Sequence, residues 1–173
     1  GWDCRMDWAL IFLAIFVTVV LLLSLLNQLS YIWLKNRILR SRAKWDLNIC
    51  CGHTDGGGVN VDIVQHTHVP NYKQVTNVCE LPFRDKQFEH TLCSHTIEHV
   101  DDPEGFDREL RRVSKNVTYA VPPLWDIGAA LNVFEHRWIF FTFRTKHVNK
   151  LPRYVKLPFA RTVQRVLGQT IAA

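Results

Sequence analysis

Two histidines and a glutamate stand in the spacing His95-Thr-Ile-Glu98-His99, a pattern that in zinc peptidases sets two imidazoles on a metal and a carboxylate beside its water. That chemistry needs both histidines on one face of a helix, and a third ligand. The residues that follow argue against the helix. Asp102 is suited to an N-cap, Pro103 to the first helical position, where its fixed φ and missing N–H cost nothing, and Glu104 to the first turn. The histidines then fall in the loop 94–102, before the helix starts, and no metal is expected. A lone loop histidine such as His95 is more often a hydrogen-bonded residue than a base, and His66 and His68 lie in a connecting segment expected to be solvated. Cys50, Cys51, Cys79 and Cys93 fall in expected strands or at their ends, without Cys-x-x-Cys spacing, and read as small reduced core residues.

The elements that must position these groups can be read on either side of the loop. Residues 81–83, Leu-Pro-Phe, are an extended lead-in, 84–87 a polar turn, and 88–94 a short apolar run expected to be a buried strand. Beyond Pro103, Phe106, Leu110 and Val113 give one apolar helical face, with Arg108, Arg111 and Arg112 turned to solvent. Residues 116–121 are a strand stopped by Pro122-Pro123. Upstream, 45–52 and 59–63 read as two strands joined by the glycine-rich stretch 53–58.

The order of lead-in, turn, strand and Ser94-His95-x-x-Glu98-His99-x-x-Asp102-Pro103 continues through Arg108-Glu-Leu-Arg-Arg-Val113, Tyr119-Ala-Val-Pro-Pro123 and Glu135-His-Arg-Trp138. Over residues 46–138 it resembles the type 11 domain of the class I, Rossmann-like methyltransferases that use S-adenosylmethionine. The resemblance implies a three-layer α/β domain with a mostly parallel sheet and S-adenosylmethionine as cofactor. In that family the first strand ends in an acid, a hydrophobe and Gly-x-Gly before a helix, and the second strand ends in an acid that grips both ribose hydroxyls. Here Asp62 takes the ribose position and Gly52 keeps the second glycine, while Asn48 stands for the first acid and Cys50 for the first glycine. Asn77 falls at the position that contacts the adenine region. The loop bearing Ser94, His95 and His99 is expected to face the acceptor, and no catalytic residue is assigned, because methyl transfer needs mainly proximity and in-line geometry. Residues 53–58 are too few for a loop and an ordinary helix, so a glycine turn replaces the helix whose N-terminal N–H groups approach charged ligand groups in Rossmann-like sites.

The flanks carry a different kind of information. Residues 8–34 contain no charged side chain, and at about 1.5 Å per residue the most apolar part, 8–26, approaches the roughly 30 Å of a bilayer core. A transmembrane helix is expected, with Trp8, Tyr31 and Trp33 as interfacial aromatics. A cleaved signal peptide fits less well, since the apolar part is long, no small-residue cleavage site follows and the positive charge lies after it. Lys35, Arg37, Arg40, Arg42 and Lys44 place that end in the cytoplasm, with 1–7 on the opposite side. The chain of 173 residues carries a formal charge of +5, yet 45–135 holds seven cations against fourteen acids, and 136–173 holds no acid. An acidic domain between basic flanks favours the lipid bilayer and subunits of a membrane complex as partners over nucleic acid.

The expected division is thus a short segment 1–7, a transmembrane helix 8–34, a basic juxtamembrane segment 35–44, a methyltransferase-like domain 45–143 and a basic tail 144–173. The tail is expected to form an amphipathic helix with Ala160, Val163, Val166, Leu167 and Ile171 on one face. The aromatic stretch 124–143 is either core or a docking surface. Four or five strands fit after residue 44, and seven with all their helices do not. The sequence leaves two functions open. The one it favours, on the lost helix, Asn48, Cys50 and Asn77, is a non-catalytic accessory subunit of a membrane complex; the other is a methyltransferase acting on a lipid-soluble or membrane-proximal acceptor.

Overall fold

A computed structural model describes residues 8–167 of the chain. The apolar run forms α1 (Trp8–Asn27), which passes through a π-helical stretch (Gln28–Leu34) into α2 (Lys35–Leu39), a continuous helix of 32 residues, apolar enough to cross a membrane. None of the residues of α1 is buried. The helix therefore outruns the boundary expected at residue 34.

Its last turns join the domain. Strands β1 (Trp45–Ile49), β2 (Gly57–Asp62), β3 (Tyr72–Gln74), β4 (Phe88–Ser94) and β5 (Ser114–Ala120) are parallel. Two short strands, β6 (Trp138–Phe140) and β8 (Tyr154–Lys156), form a separate antiparallel pair, and β7 (Lys146–Val148) closes the main sheet antiparallel to β5. The order β3-β2-β1-β4-β5-β7 puts β1 at the centre, with the chain winding outward on either side of it. This is a mixed α/β, Rossmann-like sheet. It has six strands where four or five were expected, because the outer ones are only three residues long. The boundary expected at 143 also moves, since β7 lies in what the sequence assigns to the tail.

Helix α3 (Pro103–Val113) covers one face. Its Phe106, Leu110 and Val113 join Leu47, Ile49, Val61, Cys93, Val117 and Tyr119 in the main core, each burial contributing roughly 1.5–3 kcal/mol. Asp102 caps α3 as expected, its carboxylate accepting from Gly105 N–H at 2.9 Å. Leu92 and Ala120, next in sequence to Cys93 and Tyr119 and so on the opposite side of the pleat, cluster with Trp45 and with Ile38 of α2. The end of the apolar helix thus serves as a layer of the fold. A second tie joins Asn27 and Ser30 to the buried Asp126, which also caps the short helix α4 (Ile127–Ala130).

Arg112 is not turned to solvent as expected. It binds Glu109 and Asp85 and donates to the carbonyls of Leu81 and Phe83, clamping the lead-in to α3. Glu109 also accepts from Leu81 N–H at 2.6 Å. Arg112→Ala is expected to cost about 1–2 kcal/mol, reduced by the exposure of the guanidinium, and is measured by urea unfolding. The hydrogen bond from Arg112 holds the Glu109 carboxyl below its ordinary value against the upward push of burial. A lowered folded value stabilises the protein above the ordinary carboxylate range, and that contribution fades as pH falls through the folded value. The variant should therefore lose part of the wild-type dependence of stability on acid pH.

The tail helix α5 (Ala160–Val166) buries Ala160 and Gln164, while Val166 and the following Leu167 are exposed. Ile171, and the segment 1–7, lie outside the described residues. Of the aromatic stretch, Phe140 is core, while Phe134, Phe141 and Phe143 are exposed. Cys79 lies in a turn rather than a strand.

Candidate cofactor cleft and histidine cluster

The connection from β1 to β2 decides the shape of the site. Parallel neighbours ordinarily need a crossover of a dozen residues or more, and here residues 50–56 suffice, without a helix. Two buried amides make this possible. Asn48 donates to Thr54 O (2.8 Å) and to Asn60 Oδ1 (2.9 Å), which also accepts from Gly56 N–H (2.9 Å); Asn60 in turn donates to Asp55 and to Pro70 O. The turn's backbone groups are satisfied by side chains instead of a helix ladder. Glycine is required at two points by close approach: a Cβ at Gly56 would lie 2.7 Å from Asn48 Cβ, and one at Gly58 2.2 Å from Trp45 O. Asn48→Ala removes the centre of this network and should cost about 2–3 kcal/mol, since it leaves buried polar groups unpaired, as thermal unfolding would show.

A cleft of about 570 Å³ opens at the C-terminal ends of β1, β2 and β4. That is where open α/β sheets bind ligands, and the volume lies within the range of small-molecule sites. Asn48, Cys50, Gly52, Asp62, Ser94, His95 and His99 all line it. Asn77 does not; it is exposed in a turn, where its Oδ1 accepts from Cys79 N–H at 2.9 Å. Asp62 is 6% exposed. Its Oδ2 accepts from Gly52 N–H at 2.9 Å and its Oδ1 from Ile63 N–H at 2.8 Å, which aims the carboxylate while leaving lone pairs on both oxygens.

Cys50 adopts φ +50° at the end of β1, a left-handed conformation in which glycine would be unstrained, and Gly52 repeats it at +54°. Burial first, and then the Asp62 charge, push the Cys50 thiol up, and push Cys51 up to about 11. Both are neutral thiols at physiological pH, and both line the cleft. The opposite wall comes from the apolar helix, through Tyr31, Lys35 and Leu39, with the Tyr31 ring edge-on to His95 at 4.9 Å between centroids.

Behind His95 a second cavity of about 370 Å³ is lined by Asn27, Tyr31, His95, Glu98, His99 and His136, among others. The loop 94–102 is not a helix, as expected. Even so, the fold supplies what spacing alone lacks: a third histidine, His136, beside Glu98 and His99, with candidate ligand atoms all within 4.8 Å of one another. The carbonyl of Glu98 accepts from Arg137 N–H at 2.7 Å, which fixes His136 next to the glutamate. Burial pushes the Glu98 carboxyl up, but His95, His99 and His136 outweigh it and hold it at about 2. Burial lowers His136, against the pull of Glu98. The sequence separation of His136 from the motif, and its position in an aromatic stretch, hid it; its place within Glu135-His-Arg-Trp138 was the one available signal.

Residues 58–121 match the family described as "Methyltransferase domain". No curated protein matches the chain. Among solved structures, a chain from the complex between the Haloferax volcanii Trm112 methyltransferase activator and a methyltransferase is 18% identical, with 51% of each chain covered and a TM-score of 0.40. A SAM-dependent methyltransferase from Thermotoga maritima is 16% identical over 88% of this chain and 77% of its own, with a TM-score of 0.47. One from Methanosarcina mazei is 17% identical over 74% and 83%, with a TM-score of 0.41. The chain spans about half the length of the first of these. The strand order, rather than these superpositions, fixes the fold.

Proposed function

We propose that this chain is a membrane-anchored methyltransferase that binds S-adenosylmethionine in the cleft and methylates a lipid-soluble or membrane-proximal acceptor. The observation that carries the reading is Asp62, a buried carboxylate at the end of β2, oriented by two backbone N–H groups into a cleft beside the central strand. When bound, S-adenosylmethionine supplies an activated methyl group on a sulfonium. Asp62 accepts the ribose hydroxyls, and the backbone at Gly52 lets a ligand approach without a side chain in the way. Ser94 and His95 orient the acceptor; the Ser94 hydroxyl is buried without a hydrogen-bond partner. Tyr31, Lys35 and Leu39 put the site where the apolar helix meets the domain, so an acceptor dissolved in the bilayer reaches it without crossing water. The cations from Lys35 onward hold this end on the cytoplasmic side.

A second reading rests on the crossover. The crossover from β1 to β2 carries no helix, and Asn48 is committed to the turn. On that reading the fold is kept as an accessory subunit of a membrane complex, with exposed Phe134, Phe141 and Phe143 as its contact surface. The two separate in proteoliposomes containing total lipid extract and methyl-labelled S-adenosylmethionine. Label entering the lipid fraction, and lost with Asp62→Ala, supports the enzyme. No transfer, together with subunits that co-purify in mild detergent, supports the accessory role.

A further inference from the structure

We propose that Glu98, His99 and His136 form a binding site for a divalent metal ion of the zinc class. Glu98 is fully buried, and neither carboxylate oxygen has a hydrogen-bond partner. His95 Nδ1 lies 3.4 Å from Oε1, an ion-pair separation. A buried carboxylate stays charged only with a cation beside it, and the surrounding imidazoles can supply that cation either as an imidazolium or by holding a metal ion together with the carboxylate.

The two other ligands are prepared for a metal. The Nδ1 of His99 stands 2.9 Å from the Glu135 carbonyl, a contact that places its proton there and leaves the Nε2 lone pair to act as a ligand. His136 is 7% exposed, and its Nδ1 is buried without a partner. The two rings meet edge to face with centroids 4.7 Å apart. In a tetrahedral site with bonds of about 2.0–2.2 Å, ligand atoms stand roughly 3.3–3.6 Å apart. The 4.8 Å spread of these atoms therefore has to narrow by roughly 1 Å for all three to hold one ion.

Two histidines and one glutamate are a donor set that binds zinc and leaves a coordination position open. The adjoining cavity supplies room for a water or an oxygen ligand there. The site does not depend on the residues that would hold S-adenosylmethionine at its ribose end, and it is tested without that cofactor.

Tag-free chain in detergent, stripped with a chelator, is titrated with Co²⁺ and then with Zn²⁺. The expected result is about one ion per chain, with the intense visible absorption of four- or five-coordinate Co²⁺, displaced by Zn²⁺. Glu98→Gln and His136→Asn should each weaken binding by at least about 100-fold, the removal of a direct ligand costing at least as much as loss of a supporting group. His53→Ala, an exposed histidine outside the cluster, should leave it unchanged. Circular dichroism separates lost binding from lost fold, and His99→Gln is the third variant if either of the others fails to fold. Absence of the spectrum in folded wild-type protein, or binding that survives in the folded variants, would overturn the site and leave an imidazolium–carboxylate cluster without metal.

Discussion

Asp62→Ala is expected to weaken S-adenosylmethionine binding by about 100-fold or more, and Asp62→Asn by about 10-fold. A carboxylate that accepts from two ribose hydroxyls makes two hydrogen bonds to a charged group, each contributing about 1.5–3 kcal/mol, and the asparagine keeps one acceptor without the charge. The removed side chain also supports the cleft wall, because Gly52 and Ile63 N–H both donate to it. Thermal unfolding must therefore accompany the titration. A variant that binds as well as wild type, with an unchanged melting temperature, would remove Asp62 from the site.

Trp45→Ala should be the most destabilising single change outside the site, by about 3–5 kcal/mol. Trp45 is 2% exposed, packs with Ile38, Leu92 and Ala120, and donates from its indole to Leu39 O at 2.8 Å. It therefore fastens the end of the apolar helix to the sheet. With a melting-temperature shift of about 2–4 °C per kcal/mol for a domain of this size, a fall of roughly 6–20 °C is expected. Trp45→Phe keeps most of the burial and should cost much less. Proteolysis between α2 and β1 should accelerate in the alanine variant. Equal melting temperatures for wild type and Trp45→Ala would mean that the helix is only a tether.

The strands and caps nearest the motif were legible because their signals are local. The run from Phe88 to Ser94, the Asp102 cap, Pro103 at the helix start and Asp62 at the end of β2 each follow from a few neighbouring residues. What escaped depends on contacts between distant residues. Arg112 looks like a solvent-facing helix residue until the lead-in at Leu81 and Phe83 folds back onto it. The strands β3 and β7 are too short to show a period of two. Asn48 reads as a lost acid, whereas the fold uses its amide to hold the short crossover. The apolar helix reads as an anchor alone, whereas the packing of Ile38 on Trp45 and the hydrogen bonds of Asn27 and Ser30 to Asp126 make it part of the domain as well. His136 joins Glu98 and His99 only when the chain folds back so that Arg137 N–H reaches the Glu98 carbonyl.

The most direct test of a working cofactor site is calorimetric titration of S-adenosylhomocysteine into the detergent-solubilised chain. Binding in the micromolar range is the predicted result, and it would mean that Asp62, Gly52 and the cleft suffice without the missing crossover helix. No heat up to millimolar ligand, from protein that unfolds cooperatively, would contradict it and leave the accessory-subunit reading in its place.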